Sequence, residues 1–191
     1  SSDVCSSDLR STFEARGYTT WDISSPFFII EGLNGSTLCI PTAFVAYHGE
    51  ALDIKTPLLR ANNVLSTEVT KFLHLIGKKD VGHVSVCVGP EQEYFLVDRA
   101  FYYSRPDLVM TGRTLIGKGT SKNQQLDDHY FGQVPYKVRD FMHALDIELV
   151  KLGIPAKTRH NEVAPSQYEI ACIYNLSSIT ADQNQLLIFP L

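Results

Sequence analysis

RHNEVAPSQYEI, residues 159–170, has the pattern of a β-hairpin that folds back at Pro165-Ser166. Glu162 and Glu169 are equally far from the centre of that turn. In a hairpin with this centre the two carboxylates lie directly opposite each other, and like charges in that arrangement are destabilising. The stretch therefore predicts a strand pair that needs another group to compensate the repulsion.

The residues before this hairpin predict a long helix. In YKVRDFMHALDIELVKL, residues 136–152, apolar side chains recur at helical spacing, and Gly153 is a suitable stop. We assign this stripe to the core; it consists of Val138, Phe141, Met142, Leu145, Leu149 and Leu152. Two strands follow, at about 156–164 and 167–174.

The first half of the chain predicts further strands and a helix. Residues 27–31 and 37–47 are rich in β-branched and aromatic side chains, and Asn34-Gly35 between them is a frequent turn sequence. Residues 49–63 are rich in turn formers before a short helical stretch, and a helix is predicted at 67–76, ending near Gly77. The polar, glycine-rich segment 104–128 predicts a long functional or mobile loop.

A second acidic stretch lies at residues 81–98, where side chains alternate as in two β-strands. Glu91 and Glu93 share one side of the second strand, about 7 Å apart from the rise per residue. Phe95 and Val97 continue that side, so we expect it to point inward. The alternative for Glu91 and Glu93 is a solvent-exposed edge strand, and the alternative for Glu162 and Glu169 is a hydrated hairpin. Structural ion pairs are a further alternative for both stretches.

Four carboxylates on β-strands are the ligands that a hard divalent cation requires. Magnesium binds oxygen ligands in an octahedron, commonly together with phosphate, and acids with few cysteines or histidines suit magnesium or manganese rather than zinc. Two such ions that clamp the phosphates of a nucleotide are suited to phosphoryl transfer. His160 fits a supporting partner, a substrate contact, or a hydrogen-bonded histidine at a barrel rim, and we favour the last interpretation.

Composition and missing motifs argue against several other classes of protein. The net charge of −4, without a basic run, argues against partners such as nucleic acid or an anionic membrane. No apolar run approaches the roughly 20 residues of a membrane helix. Three cysteines in apolar stretches, Cys39, Cys87 and Cys172, predict buried free thiols and a cytoplasmic location. The sequence has neither a P-loop nor a G-x-S-x-G motif.

Two ordered motifs resemble those of glutamine synthetases. GPEQEYFLVD (89–98) resembles their G-x-E-x-E-[FY] strand, and HNEVAPSQYEIA (160–171) resembles N-E-V-x-P-x-Q-[WY]-E. Between them, DHYFG (128–132) resembles a short Y-F motif of the family. The resemblance covers roughly residues 15–188. GEALDIKTPLLRA and TGRTLIG are similar to the type III branch, which is known from bacteria, so a bacterial source is expected.

The resemblance implies an α+β fold, in which a curved, mostly antiparallel β-sheet forms part of a catalytic barrel with flanking helices. It implies an enzyme that uses ATP and at least two Mg²⁺ or Mn²⁺ ions to join ammonia to L-glutamate through γ-glutamyl phosphate. By motif position, the resemblance implies that Glu91 binds the cation that holds the ATP phosphates, and that Glu93, Glu162 and Glu169 bind the other cation. It also implies that Glu162 receives a proton from ammonium and that Tyr130 lies near the ammonium pocket. The family forms homo-oligomeric rings, and a dodecamer is expected.

The resemblance also implies a division of the chain. Residues 1–14, in which SSD occurs twice, are expected to be a non-native or disordered leader. Residues 15–80 are expected to end the N-terminal region, and residues 81–191 to begin the catalytic domain. The family's N-G-S-G-x-H motif and later arginines are absent, so we expect an internal fragment that is inactive alone. Two alternatives stay open: a γ-glutamyl ligase for another amine, and a non-catalytic relative that binds metal or nucleotide.

Overall fold

The computed structural model describes residues 17–117 and 126–188. These residues form two compact units: residues 17–88 with 174–185, and residues 89–173 with 186–188. The predicted leader and part of the predicted 104–128 loop lie outside the described residues. The elements are, in order, β1 (Gly17–Trp21), β2 (Phe28–Gly32), β3 (Gly35–Cys39), β4 (Thr42–Ala46), α1 (Lys55–Leu75), β5 (Cys87–Val88), β6 (Glu91–Phe95), α2 (Arg99–Tyr103), α3 (Pro106–Thr111), α4 (Tyr136–Lys151), β7 (Ala156–Asn161), β8 (Gln167–Cys172), β9 (Asn175–Leu176) and α5 (Ser177–Ile188).

Every strand pair among the described residues is antiparallel, and helices accompany the strands, so the predicted α+β class is confirmed. The strands form four small sheets: β1 with β4, β2 with β3, β5 with β9, and a three-stranded sheet of order β6-β8-β7. The first three sheets lie in the first unit and the last in the second.

The predicted strands of the first unit are present, with different bounds. The β2–β3 hairpin pairs Gly32 with Gly35, so its turn residues are Leu33 and Asn34. The predicted strand at 37–47 is divided into β3 and β4. Pro41 lies at this break, and proline has no N–H group to donate to a sheet.

Helix α1 is longer than its pattern predicts, because it begins at Lys55 instead of residue 67. Asp53 fixes this start: its side chain accepts hydrogen bonds from the backbone N–H groups of Thr56 and Phe44, each at 2.8 Å. Pro57 is tolerated because the first turn of a helix leaves its N–H groups unpaired in any case. The predicted stop is confirmed, since Gly77 has φ +95 and donates to the carbonyl of His74.

The core of the second unit is built by α4 and β8. The predicted helix at 136–152 is confirmed, and Val138, Met142, Leu145 and Leu149 are buried, with Phe141 and Leu152 partly buried beside them. Tyr168, Ile170 and Cys172 of β8 pack in the same clusters. Because side chains alternate along a strand, Gln167, Glu169 and Ala171 point to the other side of the sheet.

Two predictions about burial are wrong. Phe95 and Val97 were expected to point inward, but they are 62% and 57% exposed. Their side of β6 faces away from α4, whose packing partner on this strand is Tyr94.

The three cysteines Cys39, Cys87 and Cys172 were expected to be buried. Of these three, Cys172 is buried, Cys39 is half-buried and Cys87 is exposed; all three are free thiols. No helix in the described part of the chain combines the length and the apolar composition that a membrane span requires.

Candidate active site

A row of three polar side chains crosses the sheet of the second unit. Glu93 on β6 pairs with Glu169 on β8, and Glu169 pairs with His160 on β7. The like-charged residues that lie directly opposite each other are therefore Glu93 and Glu169. The prediction that Glu162 lies directly opposite Glu169 is wrong.

The loop of the hairpin explains this difference in register. Gln167 donates its backbone N–H to the carbonyl of Ala164 at 3.1 Å, around a turn with Pro165 second and Ser166 third. Ser166 has φ +60, which the third residue of a type II turn requires. The turn is thus where the sequence predicts it. The strand ladder, however, resumes at Asn161 and Tyr168, so Glu162 and Val163 are two extra residues on one side.

Because Glu162 is one of these extra residues, its side chain is directed into the site. Its backbone N–H donates to the carbonyl of Gln167 at 2.8 Å, and its side chain is buried. The Tyr130 hydroxyl donates to Glu162 Oε2 at 2.6 Å, and His160 Nε2 lies 3.2 Å from Glu162 Oε1. Irregular extra residues of this kind are frequent beside active sites, where they redirect a side chain.

The pKa of Glu162 is lowered although burial alone would raise it. The hydrogen bond from Tyr130 is the largest opposing effect, followed by a hydrogen bond with Glu169, the backbone N–H of Val163 and the charge of His160. The same bond to Glu162, together with burial, raises the pKa of Tyr130 to about 12. Glu162 is therefore an ionised acceptor at neutral pH, and Tyr130 is a protonated donor.

Glu169 has the opposite behaviour. Burial, hydrogen bonding with Glu162 and the charges of Glu91, Glu162 and Glu93 raise the pKa of Glu169 to about 7. Its Oε1 lies 3.9 Å from His160 Nε2. The negative charge of Glu169 is thus disfavoured by the charges of three neighbouring glutamates.

These groups fit a divalent cation. His160, Glu162 and Glu169 each offer one ligand atom, and those atoms all lie within 4.8 Å of one another. In residues 17–117 and 126–188, the ion pairs of Glu162 and Glu169 are made with His160, and neither pairs with a lysine or arginine. Buried carboxylates without such a counter-charge are a donor set for a hard cation.

Glu93 and Glu91 lie at the side of this group. Glu93 Oε2 accepts a hydrogen bond at 2.6 Å from Gln167 Nε2. Glu91 is exposed and lies opposite Ala171, two residues along β6 from Glu93. The structure thus brings Glu93, Glu162, Glu169 and Tyr130 together, with Glu91 at the edge.

Sequence reasoning missed two supporting side chains, Gln167 and Asn161. A third, His160, was considered as a supporting partner, but a histidine at a barrel rim was the favoured interpretation. In the structure His160 contacts two of the glutamates. Gln167 holds Glu93, and Asn161 Nδ2 donates to the carbonyl of Gly132 at 2.6 Å, beside the turn that carries Tyr130. All three belong to the stretch 159–170. His160 and Gln167 each lie two residues before a glutamate, Glu162 and Glu169, and this spacing was the available signal.

Comparisons with known proteins show the family of the chain. The family described as "Glutamine synthetase type III N terminal" matches residues 1–61, and "Glutamine synthetase, catalytic domain" matches residues 70–188. A glutamine synthetase of Bacteroides fragilis is 54% identical over 94% of this chain and 24% of its own length. The type-3 glutamine synthetase of Dictyostelium discoideum is 50% identical over 95% of this chain and 25% of its own.

A third relative, a glutamine synthetase of Butyrivibrio fibrisolvens, is 52% identical over 90% of this chain and 24% of its own. The chain therefore spans about a quarter of the length of the curated relatives it matches. A cryo-EM structure of the Plasmodium falciparum glutamine synthetase has a TM-score of 0.52 at 20% identity, covering 95% of this chain and 37% of that one, which supports the fold. Dictyostelium is not a bacterium, so the similarity does not support the expected bacterial source.

Proposed function

Because the chain belongs to the glutamine synthetase family, we propose that its protein joins ammonia to L-glutamate with ATP, giving L-glutamine through γ-glutamyl phosphate. The observation that carries this proposal is the convergence of Glu162, Glu169 and His160, with Tyr130 bonded to Glu162. These side chains come from two separate stretches within the catalytic-domain match, residues 128–132 and 160–171.

The glutamates are proposed to hold two or more Mg²⁺ or Mn²⁺ ions. Glu93, Glu162 and Glu169 would hold one, and Glu91 another that carries the ATP phosphates. When bound, such cations neutralise the charge of a phosphoryl group during its transfer. His160 is proposed to orient Glu162 and Glu169, since its Nε2 lies 3.2 Å and 3.9 Å from their Oε1 atoms.

Glu162 and Tyr130 are proposed to act on ammonium. The lowered pKa of Glu162 keeps this carboxylate ionised, so it attracts ammonium. Glu162 is also proposed to accept the proton that ammonium releases, although a lowered pKa makes it a weaker base. The raised pKa of Tyr130 keeps its hydroxyl protonated, so it goes on donating to Glu162 and fixes that carboxylate. The protein is further proposed to be cytoplasmic and to form a homo-oligomeric ring, with twelve subunits as the proposed number.

Manganese calorimetry tests the site in the chain itself. Titration of the purified chain is expected to show binding that Glu162→Gln and Glu169→Gln each weaken at least about tenfold, since each removes a charged ligand. Glu148→Gln is the matched control, because Glu148 is an exposed acid on α4 that pairs with Lys151. Equal binding by all four proteins would contradict the proposed site.

Glutamine formation tests the reaction. The longer protein that contains this chain should form glutamine from glutamate, ATP and ammonia, and Glu162→Gln should lower kcat about a hundredfold if this group takes the proton. Product formation with another amine but not with ammonia would instead support a related γ-glutamyl ligase.

A further inference from the structure

The side chain of Gln167 connects the hairpin turn to Glu93. Its side chain makes two hydrogen bonds with different ends of the amide: Oε1 accepts from the backbone N–H of Ala164 at 3.1 Å, and Nε2 donates to Glu93 Oε2 at 2.6 Å. A backbone N–H can only donate, so the bond to Ala164 fixes which end of the amide is the oxygen. The NH₂ group is then directed at Glu93.

Glu93 needs such a partner to keep its position. It lies on an exposed stretch of β6, directly opposite Glu169, with Glu162 close to Glu169. Repulsion between like charges across a strand pair favours side-chain conformations in which Glu93 turns into solvent. A charge-assisted hydrogen bond to Oε2 opposes that movement and leaves Oε1 open to another ligand.

The hairpin holds Gln167 where this bond is made. Gln167 pairs with Phe95, so it lies diagonally across from Glu93 and on the same side of the sheet as Glu169. Its backbone carbonyl accepts from Glu162, and its backbone N–H donates to Ala164. One residue therefore joins the turn, the backbone of Glu162 and the carboxylate of Glu93.

The chemistry of an amide suits this task. A lysine or arginine at this position would pair with Glu93 and weaken its attraction for a cation, whereas an amide donates without a net charge. Partners that orient ligands in this manner commonly change metal affinity 10- to 100-fold when they are removed.

We propose that Gln167 is a positioning residue that keeps the Glu93 carboxylate directed at the cation held by Glu162 and Glu169. This inference rests on the proposed function, because it takes the site to bind a divalent cation. It assigns Gln167 a role through Glu93, separate from the shape of the turn.

A double-mutant cycle with manganese tests it in the purified chain. Gln167→Leu should weaken Mn²⁺ binding, followed by electron paramagnetic resonance, about tenfold. Glu93→Asp shortens this side chain by one methylene and is expected to break its hydrogen bond to Gln167. In that background the same change should alter the affinity less than about twofold. Gln185→Leu, at an exposed position of α5, is the matched control and should bind as the unchanged chain does.

A spectroscopic measurement covers the case in which Gln167→Leu fails to fold. The side-chain NH₂ resonances of Gln167 in the otherwise unchanged chain should shift on Glu93→Asp, while those of Gln185 should stay in place. Circular dichroism and thermal melting identify variants that have lost the fold.

The outcomes separate this inference from the proposed function. Equal weakening by Gln167→Leu in both backgrounds would assign Gln167 to the turn alone and overturn the inference, as would unchanged binding or unshifted amide resonances. In those cases the metal site itself stands. A folded chain that binds no Mn²⁺ would overturn both the site and the role of Gln167.

Discussion

Glu169 shows how a single residue can be kept in an unfavourable place. Its carboxylate is buried, faces Glu93 across the strands and has Glu162 beside it. Repulsion among these groups costs stability in the metal-free chain. Glu169 therefore lowers the stability of the metal-free fold, but its position suits a metal ligand. This combination is typical of functional sites.

Glu169→Gln should stabilise the metal-free chain. At pH 8, above the pKa of about 7 that burial and neighbouring acids give Glu169, the carboxylate is ionised and the repulsion is present. Removing it should raise the melting temperature by about 2–4 °C, which corresponds to about 1 kcal/mol for a domain of this size. Thermal melting with a chelator measures this, and the same concentration of added Mn²⁺ should stabilise the unchanged chain more than the variant. A lower melting temperature for the variant would contradict the argument.

Asp22 predicts a pH dependence in the first unit. Burial alone would raise its pKa, but hydrogen bonds from Ser24, Ser25 and Lys55 lower it from 3.8 to about 2. The Asp22 carboxylate lies 3.0 Å from Lys55 Nζ, which also contacts Asp182. Because the folded pKa is below the unfolded one, this stabilisation is present above about pH 4 and is lost as pH falls towards 2.

Asp22→Asn should therefore lower the stability at pH 7 and flatten its decrease between pH 4 and pH 2. Urea unfolding at several pH values measures both effects. Asp80→Asn, at an exposed position, serves as the control and should leave the pH profile unchanged. The same acid dependence in Asp22→Asn and in the unchanged chain would assign the decrease to other acids.

At the scale of elements, the apolar periodicity predicted a helix correctly where the same apolar side chains also form the core. Helix α4 was predicted almost to the residue, because its apolar stripe, its stop at Gly153 and its burial all agree. Helix α1 was predicted too short, because side chains such as Asn62 and Ser66 interrupt its apolar pattern. Contacts that only the fold provides explain its first half: Ser177 Oγ donates to Asn62 at 3.0 Å, and Asp53 joins the helix start to β4.

The hairpin shows why the site was predicted less completely than the strands. Proline and serine identify the turn at Pro165-Ser166. They do not determine how many residues separate the turn from the first strand pair, and this number sets the register. Glu162 and Val163 are extra on one side, so Glu169 faces Glu93 and His160 instead of Glu162. The acids were identifiable from the sequence, whereas the roles of His160 and Gln167 depend on this register.

Ser166 tests the turn that sets the register. Its φ of +60 is unfavourable for side chains branched at Cβ and easy for glycine. Ser166→Gly should leave stability unchanged or raise it slightly, and Ser166→Val should cost about 1–2 kcal/mol. Urea unfolding of the two variants measures the difference, with Ser104→Val as a comparison at φ −78. Equal stability of the two Ser166 variants would show that the turn relaxes freely.

At the scale of the whole molecule, the described part of the site is strongly acidic. Glu91, Glu93, Glu162 and Glu169 lie together, and in residues 17–117 and 126–188 the basic group that contacts them is His160. The proposed substrates, ATP and glutamate, are themselves anionic, and bound cations would offset only part of the repulsion. Binding both of them would therefore require further cationic donors, and the relatives are about four times as long as the matched region.

The 191-residue chain alone is therefore expected to bind Mn²⁺ but to form no glutamine. A coupled assay of ADP release together with direct detection of glutamine measures this, beside the longer protein as the positive control. The carboxylates can gather a metal, but the phosphoryl group and the glutamate carboxylates would have too few positive partners to be held for reaction. Glutamine formation by the purified chain would contradict this expectation, provided that Glu162→Gln abolishes it and so excludes a contaminating enzyme.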